Sequence, residues 1–307
     1  MNIILQFLLL TVGFVMLVKG SDWFVDGAAG IAAKFRIPQI IIGLTIVAMG
    51  TSAPEAAVSI TAAMGGSADI TVGNIVGSNI LNVLVILGLA SAIIPIAVGS
   101  STQKIDAPFM IAVSVIFLAL GWDGTITRLD GFILLILFAA YIGYMIWEAL
   151  HSNEEGDEIK DMKVWQMLLA TVGGLALVVL GADVAVDAAT ELATIFGMSE
   201  RFIGLTVVAL GTSLPELFTS VTAARKGNAD IAIGNIVGSN IFNILFVVGL
   251  SAMIVPVPFT PNFRIDTIVA IAAGVMLLLC SLKQKKLVRR HGIAMLLCYG
   301  AYFLYLL

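Results

Sequence analysis

Apolar residues run through this chain in long blocks, and the polar stretches between them are short. Ten such blocks can be drawn, at about 3–32, 40–64, 70–94, 106–121, 130–149, 164–194, 201–224, 231–255, 265–282 and 291–307. A membrane-spanning helix needs roughly 20 apolar residues, so blocks of this length read as transmembrane helices. The whole chain is 60% hydrophobic and only 12% charged. Soluble domains sit near ~45–50% apolar and ~25% charged, so a soluble fold is excluded. The expected fold class is an all-α polytopic membrane protein with about ten transmembrane helices, and the lipid bilayer is its first partner. Thirty glycines suit close helix packing in lipid. The net charge of −4 gives no reason to expect a nucleic-acid partner. Cys280 and Cys298 both lie in apolar runs and read as buried small hydrophobes, not a disulfide framework. The N-terminal "MNIILQFLLLTVGF" lacks a basic leader and a cleavage site, so it reads as the first span.

The blocks repeat. Glu55 aligns with Glu216, Gly73 with Gly234 and Pro95 with Pro256, each 161 residues on. About 33 of the 56 positions in 40–95 are identical to those in 201–256, far more than shared apolarity would give. The chain is therefore expected to divide into residues 1–150, a linker loop at 151–163 and residues 164–307, each half a five-helix repeat. Five is odd, so the second repeat enters the membrane from the opposite side: an inverted-topology repeat, as in many secondary transporters. Loop charges set the orientation. The side holding the N-terminus carries Arg128, Arg201 and Arg264. The other side carries Lys34, Arg36, Lys104, Lys160, Lys163, Arg225, Lys226, Lys283, Lys285, Lys286, Arg289 and Arg290. The positive-inside rule puts both termini outside the cell membrane and the 151–163 loop inside.

Each repeat places a helix breaker and a carboxylate in the middle of a span: "GTSAPE" at 50–55 and "GTSLPE" at 211–216. Proline removes a backbone donor and disturbs the helix one turn earlier, which frees carbonyl oxygens near Gly50 and Gly211. Thr51, Ser52, Thr212 and Ser213 add hydroxyls, and Glu55 and Glu216 add carboxylates. No Lys, Arg or His lies in either segment. A carboxylate at membrane depth needs a partner, and an all-oxygen set of charge −2 suits hard cations such as Na⁺ and Ca²⁺. A proline-kinked helix with protonated, hydrogen-bonded glutamates is the blander alternative.

A second motif follows each break: "GNIVGSNILN" at 73–82 and "GNIVGSNIFN" at 234–243. Residues four apart share a helical face, so Asn74, Ser78 and Asn82 align, as do Asn235, Ser239 and Asn243. Ion ligation is the favoured role for Ser78, Asn82, Ser239 and Asn243, while Asn74 and Asn235 also suit hydrogen bonding between helices. Asp69 and Asp230 read as N-caps. Asp22, Asp26, Asp183 and Asp187 are expected near an interface or in a wet cleft, with Lys19 as a local partner of Asp22.

These paired motifs, at this spacing, resemble the two alpha repeats of the cation/calcium exchanger superfamily, and in particular its sodium/calcium exchangers of prokaryotic type. The resemblance spans nearly the whole chain. It implies ten transmembrane helices, alternating access, exchange of several Na⁺ for one Ca²⁺, and two long spans, the first and sixth, sliding past an eight-helix core. It implies that Glu55, Glu216, Thr51 and Thr212 hold Ca²⁺. Na⁺ would use the carbonyls of Ala48 and Ala209, the hydroxyls of Ser52, Ser213, Ser78 and Ser239, and the same glutamates, with Asn82 facing the middle. Some members carry Asp where this chain has Asn243. The proton-coupled branch usually has Gly-Asn-Ala-x-Glu in place of Gly-Thr-Ser-x-Pro-Glu.

The expectation is a Na⁺/Ca²⁺ antiporter and not an enzyme, with no cofactor beyond the transported ions. Ca²⁺/H⁺ and K⁺-dependent exchange are the alternatives. An intramembrane hydrolase built on Ser52 or Ser213 lacks an activating base, since His151 and His291 lie in or beside loops. A passive channel does not account for the broken-helix inverted repeat. Nothing in the sequence sets the oligomeric state.

Overall fold

The computed structural model describes residues 3–151, 162–198 and 209–306. The interior of the expected linker, 152–161, and the first third of the seventh apolar block, 201–208, lie outside them. The described chain is almost entirely helical. The long elements are α1 (Ile3–Phe35), α2 (Ala53–Met64), α3 (Asp69–Leu81), α4 (Ala107–Leu120), α5 (Arg128–His151), α6 (Val164–Ile195), α7 (Leu214–Arg225), α8 (Ala229–Phe242), α9 (Pro261–Leu282) and α10 (Arg289–Leu306). Among the described residues, seven helical stretches are long and apolar enough to cross a membrane, and the bent pair Gln39–Thr51 and Ala53–Met64 makes an eighth. Helix α7 is a 12-residue piece, and α10 opens on Arg289, Arg290 and His291, so neither passes that measure.

Two stretches form the centre. Ala229–Ile254 is 94% buried and Ile70–Ile93 78% buried, whereas the other spans bury 22–39% and turn the remainder outward to lipid. Each central stretch is α-helix, then a π-helical turn (Asn82–Leu87 or Asn243–Val248), then a short α-helix (Gly88–Ile93 or Gly249–Ile254). A π-turn inserts a residue into the helical ladder and occurs frequently at functional sites.

Helices α1 and α6 cross antiparallel, backbone on backbone. A Cβ on Gly13 would lie 2.8 Å from the Ala185 nitrogen, and one on Gly20 would lie 2.8 Å from that of Val178. A Cβ on Gly181 would approach Gly13, and one on Gly174 would approach Gly20 and Phe24. These four glycines are the small residues that let two helices meet without side chains between them.

Two short antiparallel ladders tie loops together. β1 (Ile96–Ala97) pairs with β4 (Lys286–Leu287), and β2 (Thr125–Ile126) pairs with β3 (Val257–Pro258). Because α4 runs between β1 and β2, the ladders mark the two ends of the bundle.

Three local expectations need correction. Helix α3 starts at Asp69, after Ala68, and α8 starts at Ala229, so neither Asp69 nor Asp230 occupies the cap position. Asp230 stands in the first turn of α8, where a carboxylate still complements the helix dipole. Asp22 makes its ion pair with Lys226 and not with Lys19. Cys298 is exposed on the outer face of α10, and Cys280 is half-buried.

Candidate cation site

The helix break forms where Pro54 requires it. The chain reaches Thr51 as helix, Ser52 leaves it at φ −83°, ψ 9°, and α2 restarts with Pro54 in its first turn, bent by 49°. At that position the missing N–H of proline costs nothing. Ser213 repeats the geometry at φ −89°, ψ 3° ahead of α7. Each break places the following glutamate in the first turn of a helix, where the exposed N–H groups favour negative charge.

The two breaks meet in the interior. Ser52 Oγ donates to Glu216 Oε1 at 2.8 Å, from one repeat to the other. Thr51 Oγ1 donates to Asn235 Oδ1 at 2.9 Å. The Ala48 carbonyl accepts from Ser239 Oγ and from Thr51 Oγ1, each at 3.4 Å. Ser78 Oγ donates to Glu55 Oε1 at 3.5 Å. Glu55, Glu216, Asn82 and Asn243 are each 1% exposed. Thr212 is half-buried on a neighbouring cavity. Ala209 lies in the helical segment Ala209–Gly211, at the edge of the described residues.

Asn74 and Asn235 hold the glutamate helices. Asn74 Nδ2 donates to the Glu55 carbonyl at 3.1 Å and to Ser59 Oγ at 2.9 Å. Asn235 Nδ2 repeats this on the Glu216 carbonyl at 3.4 Å and on Ser220 Oγ at 2.9 Å.

The centre is rich in buried oxygen and poor in partners for it. Glu55 Oε2, Glu216 Oε2, Ser213 Oγ, Asn82 Oδ1 and Asn243 Oδ1 make no hydrogen bond among the described residues. Leaving one buried polar atom unbonded costs about 1–3 kcal/mol, and more when it is charged. Among the described residues Lys226 makes ion pairs with Asp22 and Asp26, and no Lys, Arg or His of these residues pairs with either glutamate. Five acceptor oxygens with two formal negative charges are the chemistry that binds hard cations.

Two residues of this centre escape a sequence reading, Asn79 and Asn240. Asn79 Nδ2 donates to the Asn240 carbonyl at 3.2 Å, and Asn240 Nδ2 donates to the Asn79 carbonyl at 3.1 Å. Asn82 Nδ2 donates to Asn240 Oδ1 at 2.9 Å, and Asn243 Nδ2 to Asn79 Oδ1 at 3.1 Å. They sit one residue after the serines, off the four-residue stripe that ties Asn74, Ser78 and Asn82 together.

The ends of the bundle differ. Lys226 Nζ donates to Asp26 Oδ1 at 2.8 Å and to the Asp22 carbonyl at 2.9 Å, with Asp22 Oδ1 at 3.3 Å. The aligned pair on α6, Asp183 and Asp187, lines a cavity of about 560 Å³ that reaches Pro54 and Thr212 beside the centre. Helices α1 and α6 are antiparallel, so the lysine contact and the cavity lie towards opposite ends.

Fold and centre together define a class: a helical, polytopic membrane protein with a negatively charged, oxygen-lined interior. A family model described as "Sodium/calcium exchanger protein" matches residues 5–147 and 167–307, and the chain belongs to that family. It is 33% identical to the sodium/calcium exchanger MaX1 of Methanosarcina acetivorans, over 99% of each chain. It is 40% identical to the inner membrane protein YrbG of Escherichia coli, over 82% of this chain and 81% of that one. Among solved structures, the sodium-calcium exchanger NCX_Mj soaked with zero Na⁺ and Ca²⁺ matches with a TM-score of 0.89 at 32% identity, covering 100% of both chains.

Proposed function

We propose that this protein is a Na⁺/Ca²⁺ antiporter of the cell membrane that works by alternating access, with its cations bound between two inverted five-helix repeats. The observation that carries the reading is the pair of buried, unneutralised glutamates, joined across the repeats by the Ser52–Glu216 bond and surrounded by oxygens without partners. The names of MaX1 and NCX_Mj, both sodium/calcium exchangers, support the choice of ions. The match of one family model to both halves supports the division into 1–150 and 164–307. The eight long apolar stretches, together with the apolar blocks 201–224 and 291–307, make up the ten spans of this reading. Pairing of β1 with β4 and of β2 with β3 agrees with the sides that the loop charges assign, which place both termini outside.

In this reading Glu55 and Glu216 are the charged ligands, with Thr51 and Thr212 completing the Ca²⁺ site. Ser52, Ser213, Ser78, Ser239 and the carbonyls of Ala48 and Ala209 serve Na⁺, and Asn82 and Asn243 add neutral oxygens. The charge of −2 is cancelled by one Ca²⁺ or by two Na⁺, while a third Na⁺ leaves +1. A neutral loaded centre crosses the low-dielectric barrier most easily, and a net charge also feels the membrane potential at about 2.3 kcal/mol per 100 mV. The two cargoes therefore share one carrier and compete for it.

The test is ⁴⁵Ca²⁺ uptake into proteoliposomes loaded with Na⁺, with arms that add K⁺ or replace the Na⁺ gradient by a pH gradient. Uptake that needs internal Na⁺ alone is expected. Uptake driven equally by the pH gradient would replace the reading with Ca²⁺/H⁺ exchange, and an absolute need for K⁺ would make the exchanger K⁺-dependent.

A further inference from the structure

We propose that Asn79 and Asn240 are positioning residues of the cation centre: they fix the amides of Asn82 and Asn243 so that each presents its oxygen, and not its NH₂, to the ions. This rests on the reading above that Asn82 and Asn243 belong to the centre.

The constraint begins at two backbone carbonyls. A carbonyl oxygen accepts hydrogen bonds and never donates them. The Asn240 carbonyl therefore demands the NH₂ of Asn79, and the Asn79 carbonyl demands the NH₂ of Asn240. With both NH₂ groups committed, the side-chain oxygens of Asn79 and Asn240 point to the other side. Each is an acceptor, and each faces the next amide: Asn79 Oδ1 faces Asn243, and Asn240 Oδ1 faces Asn82. An acceptor demands a donor, so Asn82 and Asn243 turn their NH₂ groups inward to this network. Their own oxygens are left over, buried and without a hydrogen bond among the described residues.

Turning either outer amide over would set oxygen against oxygen inside the network and aim NH₂ hydrogens at the cations. The placement matches this role. The π-turn that begins at Asn82 packs against α7, which carries Glu216, and the turn that begins at Asn243 packs against α2, which carries Glu55. Each repeat thus brings an oriented amide to the glutamate helix of the other. Asn79 and Asn240 carry no charge and need touch no ion. They act through the amide that they hold, as outer-shell partners do in metal sites generally.

The test compares purified, folded variants by the rise in thermal midpoint that Na⁺ or Ca²⁺ produces, and by the Na⁺ dependence of ⁴⁵Ca²⁺ exchange. Asn79→Leu keeps volume but removes the acceptor that orients Asn243. It should raise the Na⁺ concentration for half-maximal effect by about ten-fold, the lower end for lost outer-shell partners. Asn79→Asp still offers an oxygen to the Asn243 amide and should keep most of the ion-induced rise. In an Asn243→Asp background, where position 243 presents oxygen whichever way it turns, Asn79→Leu should shift the Na⁺ dependence by less than about three-fold; such non-additivity marks direct coupling. A merely structural role would lower the ion-free midpoint and give equal shifts in both backgrounds, which would overturn the proposal. Asn243→Ala separates the two levels. If it leaves the ion dependence unchanged, the cation-site reading fails; if it shifts the dependence while Asn79→Leu does not, only the positioning role fails. Should Asn79→Leu not fold, Asn79→Ala, which leaves room for water at the Asn240 carbonyl, carries the same comparison.

Discussion

Gly238→Ala is the smallest change that should separate the centre's geometry from its chemistry. Gly238 lies on α8 with no side chain in the centre. A Cβ there would stand 2.5 Å from the Leu44 carbonyl oxygen, 2.7 Å from Leu44 Cα and 2.8 Å from Ala48 Cβ. Ordinary contact begins at 3.4 Å, so the shortest approach is about 0.9 Å too close. Two of the three atoms are backbone and the third is the root of a side chain, so no rotamer relieves them. The helical segment 39–51 must retreat from α8 by most of that distance. The Ser239–Ala48 bond, already 3.4 Å, would then be broken, and the 2.9 Å Thr51–Asn235 bond would stretch to its limit. Overpacking of this kind costs about 1–3 kcal/mol, which a large helical bundle survives. A misplacement approaching 1 Å in a preorganised site is expected to lower exchange by about ten-fold or more. The assay is Na⁺-driven ⁴⁵Ca²⁺ uptake together with the thermal midpoint. Gly143→Ala is the control, since that glycine is exposed and a Cβ there meets nothing within 4 Å. Wild-type uptake by Gly238→Ala would refute the claim that close contact of α8 with the 39–51 segment sets the site.

Glu55→Gln and Glu216→Gln should each abolish Ca²⁺ exchange in folded protein, because Ca²⁺ affinity follows the ligand charge count; near wild-type uptake by either would remove that residue from the site. Lys226→Met releases the contact with Asp22 and Asp26, whose side chains are 39% and 42% exposed. Screened pairs of that kind contribute about 1 kcal/mol or less, so the balance between the two open states should move by no more than about five-fold, and less at high salt. The readout is the labelling rate of a single cysteine at Ala57 in the cavity, and a shift of a hundred-fold would show that the pair does more than latch one end. A cysteine at Asn153 should react with an impermeant reagent only from the cytoplasmic side, as the loop charges require; labelling from outside intact cells would reverse the assigned orientation.

Some of this architecture is legible in the sequence because its causes are local or repeated. Pro54 and Glu55 announce a break with a carboxylate beside it, and the 161-residue repeat announces a second. The four-residue spacing brings Ser78 to Glu55 and Asn74 to the neighbouring helix. Other features have no local cause. Asn79 and Asn240 meet only because α3 and α8 cross at the middle, and their bonding partners are a backbone carbonyl and an amide some 160 residues away. The π-turns at Asn82 and Asn243 shift the helical face by one residue, and spacing rules assume that no such shift occurs. Lys226 reaches Asp26 across 200 residues, so the nearer Lys19 is the partner that spacing alone suggests. The Asp69 and Asp230 boundaries are displaced because each helix begins at or before the acidic residue.

The two strand ladders carry a mechanical consequence. Each is only two residues long, yet β1–β4 is extended by the Val98 amide on the Lys285 carbonyl, and β2–β3 by the Phe259 amide on that of Gly124, both at 2.8 Å. One rivets the stretch after the first central span to the turn between α9 and α10, and the other does the same at the far end. Neither includes α1 or α6. The spans that adjoin the ladders are thus pinned top and bottom, whereas α1 and α6, like α2 and α7, adjoin neither ladder. The amides of Val98 and Phe259, held in these pins, should therefore exchange with deuterium at the same slow rate whichever cation is bound.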